Sequence, residues 1–125
     1  MKKLLLIAVT ALFAISLNAG EYPDISIKEL KGLIASKKVT VIDVMGAKSY
    51  AKGHVPTAIS FNKNLAKALP KNKDALIVAY CGGPSCKAYK RAASLAEKLG
   101  YTNVKHMSAG ISGWKKAGEK LEKAN

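Results

Sequence analysis

Cysteine is scarce in this chain: Cys81 and Cys86 are the only two in 125 residues. That excludes a small scaffold built from disulfides, and with His54 and His106 each at least twenty positions from the pair no Cys/His cluster has the ligand count of a structural zinc site. No metal or organic cofactor is implied by the sequence. Internal repeats, linkers and low-complexity segments are lacking as well. Acidic residues are few, 8 against 21 Lys plus Arg, so the formal net charge is +13. Yet the lysines form no block of five, are not interleaved with aromatics and belong to no nucleic-acid reader motif, and nucleic acid is not a predicted partner. What is present is the apolar content of a globular protein, 49% of residues, at a length that suits one domain.

The first twenty residues stand apart. Lys2 and Lys3 precede 14 uncharged, mostly apolar residues, Leu4 to Leu17, followed by Asn18, Ala19 and Gly20. The stretch is too short to span a bilayer comfortably and has the form of a secretory leader. Cleavage is predicted after Ala19, which makes 1–19 a signal peptide and 20–125 the mature domain. A periplasmic or secreted location follows, with no stable membrane insertion after cleavage. Losing Lys2 and Lys3 leaves 19 basic and 8 acidic side chains, a net +11 over 106 residues. Such a field concentrates small anions and fades with ionic strength.

Along the mature chain, helical and strand patterns alternate. Ser26-Ile27-Lys28-Glu29 has the form of a capping box, and Ile27, Leu30, Leu33 and Ile34 predict a helix over 26–36. Val39 to Val44 reads as a buried parallel strand with Asp43 near its carboxyl end. A short helix over 47–52 stopped by Gly53, a brief strand over 58–61 and a short helix over 64–69 stopped by Pro70 come next. The most apolar strand spans 75–80, and Cys81 follows it directly. Helical pattern resumes from about Cys86 to Leu99, with Gly100 as its stop. A strand over 103–107, a helix over 111–117 carrying Trp114 as a core anchor, and a polar, frayed end complete the chain. The alternation predicts an α/β domain with a largely parallel sheet covered by helices on both faces.

A cysteine between a buried strand and a glycine-rich loop that opens a helix has the surroundings of a nucleophile. Loop amides and the helix dipole both favour negative charge there, which lowers the thiol pKa. The same amides suit an anionic substrate or a persulfide. Cys81 reads equally well as a small buried residue of the strand end. Cys86, five positions on, admits three readings: a disulfide partner, a resolving or redox thiol, or an uninvolved loop residue. Lys87 and Arg91, one turn apart on the predicted helix, place charge beside the loop or simply face solvent. His54 reads as a structural histidine, and His106 more so. Asp43, at the end of a buried strand, needs a hydrogen-bond partner, by capping the next helix or by bracing the Cys81 loop.

These residues, in order, resemble a single-domain rhodanese. Val41-Ile42-Asp43-Val44 through Tyr50, then Gly53-His54-Val55-Pro56-Thr57-Ala58, is similar to the family's first signature. Gly100-Tyr101-Thr102-Asn103-Val104, Ser108-Ala109-Gly110 and Trp114 to Gly118 are similar to its closing elements, so the likeness covers nearly all of residues 25–118. The resemblance implies a three-layer domain that transfers sulfur. Cys81 would take a sulfane sulfur from thiosulfate or a persulfide donor, hold it as a persulfide and pass it to a thiophilic acceptor, either cyanide or a thiol, including a protein thiol. The amides of Gly82, Gly83, Ser85, Cys86 and Lys87 would form the anion cradle, with Asp43 and His54 in supporting roles.

The chain also departs from the family. Met45 and Ser49 stand where an arginine and a glutamate are common, Cys86 stands where arginine is frequent, and the 19 positions from Cys81 to Gly100 are about two more than usual. Relatives with longer loops are phosphatases and arsenate reductases. Cys81, five residues and Lys87 have the outline of their C-x5-R, although lysine lacks the bidentate fork that grips a phosphoryl group. A third class is a binding or thiol-redox module that uses the Cys81 and Cys86 pair without catalysing transfer.

Overall fold

Ser26 opens the regular structure: its Oγ accepts a hydrogen bond from the amide of Glu29 at 3.1 Å and caps helix α1 (Ile27–Ala35). The computed structural model describes residues 22–124, so the leader predicted over 1–19 lies outside the described residues. After α1 come strand β1 (Thr40–Asp43), helix α2 (Ala47–Lys52), strand β2 (Ile59–Ser60), helix α3 (Leu65–Ala68), strand β3 (Leu76–Tyr80), helix α4 (Tyr89–Lys98), strand β4 (Asn103–His106) and helix α5 (Gly110–Lys116).

The four strands form one sheet in the order β2-β1-β3-β4, every pair parallel. The register sets Ile42 beside Ala79 and Asp43 beside Tyr80. Because side chains alternate across a strand, the register divides the core in two. Ile42, Ile77, Ala79 and Cys81 pack on one face with Leu65, Leu69, Tyr89, Ala92, Ala93 and Ala96 from α3, α4 and their flanks. Val41, Val78 and Tyr80 pack on the other with Leu30, Ile111 and Trp114 from α1 and α5. The result is the three-layer arrangement predicted, with β1 and β3 buried on both faces.

Two expectations change. Helix α4 begins at Tyr89, not Cys86. The amide of Cys86 bonds to Gly83 O at 3.1 Å, and the chain then passes through the i to i+3 bonds of Lys90 to Lys87 O and Arg91 to Ala88 O before the helix settles. Lys87 is therefore a loop residue. The polar end is not frayed either. Trp114 Nε1 donates to Lys120 O at 2.8 Å, His54 and Glu122 exchange backbone bonds at 2.9 Å each, and the amide of Ala124 bonds to Ala51 O. Lys31 Nζ meets Glu119 at 3.1 Å. Residues 119–124 thus strap the α1, α2 and α5 side of the molecule.

Candidate functional site

Strand β3 delivers Cys81 to the carboxyl edge of the sheet, where parallel α/β sheets place their ligands. Cys81 is joined to Cys86 by a disulfide, with the Cα atoms 6.3 Å apart, inside the range such a bond requires. Of the three readings open for Cys86, the structure contains the disulfide. Cys81 is 4% exposed, and Cys86 is half-buried against the same apolar cluster. In this state the Cys81 sulfur is neither thiol nor thiolate. A thiolate at Cys81 is available only once the bond is reduced.

The loop is clamped from beneath by α5. The amide of Ile111 donates to Cys81 O and that of Ser112 to Gly82 O, both at 2.9 Å. Gly110 makes the clamp possible. It sits at φ +65°, and a Cβ there would lie 2.5 Å from Gly83 N and 2.7 Å from Cys81 O, so only glycine fits. The contact was not legible in the sequence. Its signal lay in the strand order: β3 and β4 are parallel neighbours, so the loops that follow them emerge at the same edge. Met45 closes another side, its Sδ 3.9 Å from where a Gly82 Cβ would stand. The position that commonly carries arginine here supplies a thioether packed against the loop.

The backbone amides of Gly82, Gly83, Ser85 and Lys87 make no hydrogen bond to another group among the described residues, whereas that of Cys86 is taken up by Gly83 O. Ser85 and Lys87 are exposed. Arg91 is turned to Phe61, its guanidinium carbon 5.4 Å from the ring centroid, a cation–π contact.

Of the two roles expected of Asp43, it does not cap the next helix, and it is tied instead to the residue before Cys81. Its Oδ1 accepts from the amide of Met45 at 2.7 Å, and its Oδ2 accepts from the Tyr80 hydroxyl. Helix α2, which follows, starts at Gly46 with no side-chain cap. The Tyr80 oxygen in turn accepts from the amide of Val55 at 3.0 Å. Burial, and then the bond to Asp43, push the Tyr80 hydroxyl pKa well above its ordinary value, so it remains a donor. Thus the residue before Cys81 ties β1, β3 and the 54–58 turn together. His54 opens that turn, directly before Val55. Its Nδ1 pairs with Tyr50 O at 2.8 Å, its ring stacks on Tyr50 with centroids 3.7 Å apart, and Nε2 is 3.9 Å from Glu122. His54 is 4% exposed and bonds to structural partners.

A parallel three-layer domain with a cysteine loop after its central strand can be set against known proteins. A family model for the rhodanese-like domain matches residues 26–117. The chain belongs to that family. Among solved structures, the rhodanese-like fold here is similar to the BH2092 protein of Bacillus halodurans at 29% identity and TM-score 0.71, over 93% of this chain and 85% of that one. It is also similar to the human single-domain sulfurtransferase TSTD1 (24% identity, TM-score 0.61, 75% of this chain and 96% of that one). A thiosulfate sulfurtransferase of Pseudomonas aeruginosa matches at 20% identity and TM-score 0.68, over 83% of this chain and 21% of that one. At these last two identities the likeness is one of fold. Within the rhodanese-like frame, the match ends at residue 117, so the strap over 119–124 lies outside it.

Proposed function

We propose that this rhodanese-like domain is a sulfurtransferase or sulfur carrier whose reduced form works through a persulfide on Cys81. The observation that supports this reading best is the place of Cys81: at the carboxyl edge of a buried parallel strand, in a loop with four backbone amides that have no partner among the described residues. The Cys81 thiolate attacks the outer, sulfane sulfur of thiosulfate. A new S–S bond forms at Cys81 Sγ, the sulfur–sulfur bond of thiosulfate breaks, and sulfite leaves with the electron pair. Amides of Gly82, Gly83, Ser85 and Lys87 hold the anion and then the persulfide charge. Cyanide or a thiol then removes the outer sulfur and returns Cys81 as thiolate. The excess of basic side chains draws anionic donors in.

The family is compatible with a sulfur donor and acceptor of several kinds, and thiosulfate, cyanide and a protein thiol are part of the proposal. So is export to the periplasm, which rests on the leader pattern of residues 1–19. The test is thiocyanate formation from thiosulfate and cyanide with the protein kept reduced. Cys81→Ser should lower turnover to the uncatalysed rate, and retained turnover removes Cys81 from the mechanism.

The disulfide itself favours a second reading, a thiol-redox module in which the Cys81–Cys86 bond is made and broken in place of sulfur transfer. The two readings separate on whether reduced protein releases sulfite from thiosulfate.

A further inference from the structure

Transfer through Cys81 leaves Cys86 without a task, although the structure bonds it to the atom that would carry the sulfur. The Cys86 Sγ is joined to the Cys81 Sγ, and the Cys81 Sγ is the inner sulfur of the proposed persulfide. We infer that Cys86 is the thiol that unloads this persulfide, so that the protein reduces sulfane sulfur to sulfide at the expense of an external dithiol. The inference rests on the persulfide reading of Cys81 and extends it to a second activity of the same site.

The step balances within the chain. Cys86 first loses its proton to water. Its thiolate attacks Cys81 Sγ, forming the Cys81–Cys86 bond, while the bond from Cys81 Sγ to the outer sulfur breaks. The outer sulfur leaves with the electron pair and takes from water the proton that Cys86 released, departing as HS⁻. The two cysteines are oxidised by two electrons together, and the sulfane sulfur takes both. The product state of the protein is the disulfide seen in the structure. Attack on the outer sulfur would instead move the sulfane sulfur to Cys86 and form no such bond.

Three features of the loop suit this role. Both ends are fixed by bonds that do not involve sulfur: Cys81 O accepts from Ile111 at 2.9 Å, and the Cys86 amide donates to Gly83 O at 3.1 Å. Opening the bridge therefore leaves the two thiols facing each other across the same short loop. The chain has no third cysteine to compete. The pair is also asymmetric in access, since Cys81 is buried while Cys86 is half-buried beside the exposed Pro84, Ser85 and Lys87. Thiol–disulfide exchange follows access to the sulfur attacked. A dithiol reductant reaches Cys86, forms a mixed disulfide there and expels Cys81 as the thiolate that the next donor needs. The second thiol of the reductant then frees Cys86. Over a full cycle, thiosulfate and a dithiol give sulfite, hydrogen sulfide and the reductant's disulfide.

The experiment is a single turnover. Protein reduced with dithiothreitol and desalted is mixed with thiosulfate, and sulfide, sulfite and the peptide map of both cysteines are followed. Wild type should release one sulfide per chain as both thiols disappear into the Cys81–Cys86 link. Cys86→Ser should hold one extra sulfur on Cys81 and release sulfide only when a thiol is added. Wild type that keeps the sulfur on Cys81 with Cys86 free, or sulfide release undiminished by Cys86→Ser, overturns the inference and leaves transfer standing. Failure of Cys81 to gain sulfur in either protein, with no sulfite formed, overturns the transfer reading and this one with it. The wild-type measurement alone decides if the variant does not fold, because sulfide without a matching Cys81–Cys86 link contradicts the step.

Discussion

The Tyr80 hydroxyl joins three segments through two bonds, donating to Asp43 and accepting from the Val55 amide, and all of this is buried. Tyr80→Phe keeps the ring's packing but strands a carboxyl oxygen and an amide in the buried interior. The expected loss is about 1–3 kcal/mol, the cost of leaving buried polar groups unpaired, read as a lower urea midpoint at unchanged slope. A midpoint equal to wild type would show that the network contributes nothing. At this scale the sequence was partly legible. Asp43 announced its need for a partner, because a carboxylate at a buried strand end must be bonded. The partner's identity was not, because it depends on the β1–β3 register that sets Asp43 beside Tyr80. Gly110 shows the same limit: its left-handed backbone and its contact with Gly83 follow from two loops meeting in space.

The elements were the most legible part, because apolar periodicity and turn residues fix them locally. Ser26 caps α1, Gly53 ends α2, and the β-branched runs over 39–44 and 75–80 became the two central strands. The errors fall where long-range bonds decide. Helix α4 starts late because Cys86 is tied back to Cys81 and to Gly83. The strap over 119–124 was missed because a polar, lysine-rich segment carries no pattern; what orders it are backbone partners on His54 and Ala51 and the indole of Trp114. Removal of residues 120–125 is expected to cost about 2–4 kcal/mol, since it leaves the buried Trp114 N–H unpaired and removes several backbone bonds together. Chemical denaturation of the shortened chain measures it. A loss below about 0.5 kcal/mol, the scale of an ordinary surface change, would mean the strap is decorative.

The whole molecule is a basic, three-layer domain whose one cysteine pair sits at the carboxyl edge of its sheet. Net charge and fold class were readable from composition and alternation, and the family from motifs in order around Cys81. The state of the pair was not, because whether two thiols five residues apart bond depends on the loop geometry that α5 imposes. The proposed function turns on that state: the closed disulfide leaves Cys81 without the thiol that the proposal requires, and reduction restores it. The central claim, that Cys81 of the reduced protein takes sulfur from thiosulfate, is tested most directly by sulfite release in a single turnover, comparing the disulfide and dithiol forms of one preparation. The account predicts one sulfite per chain from the dithiol form and none from the disulfide form. Sulfite released equally by both, or by neither while both thiols titrate freely, would contradict it.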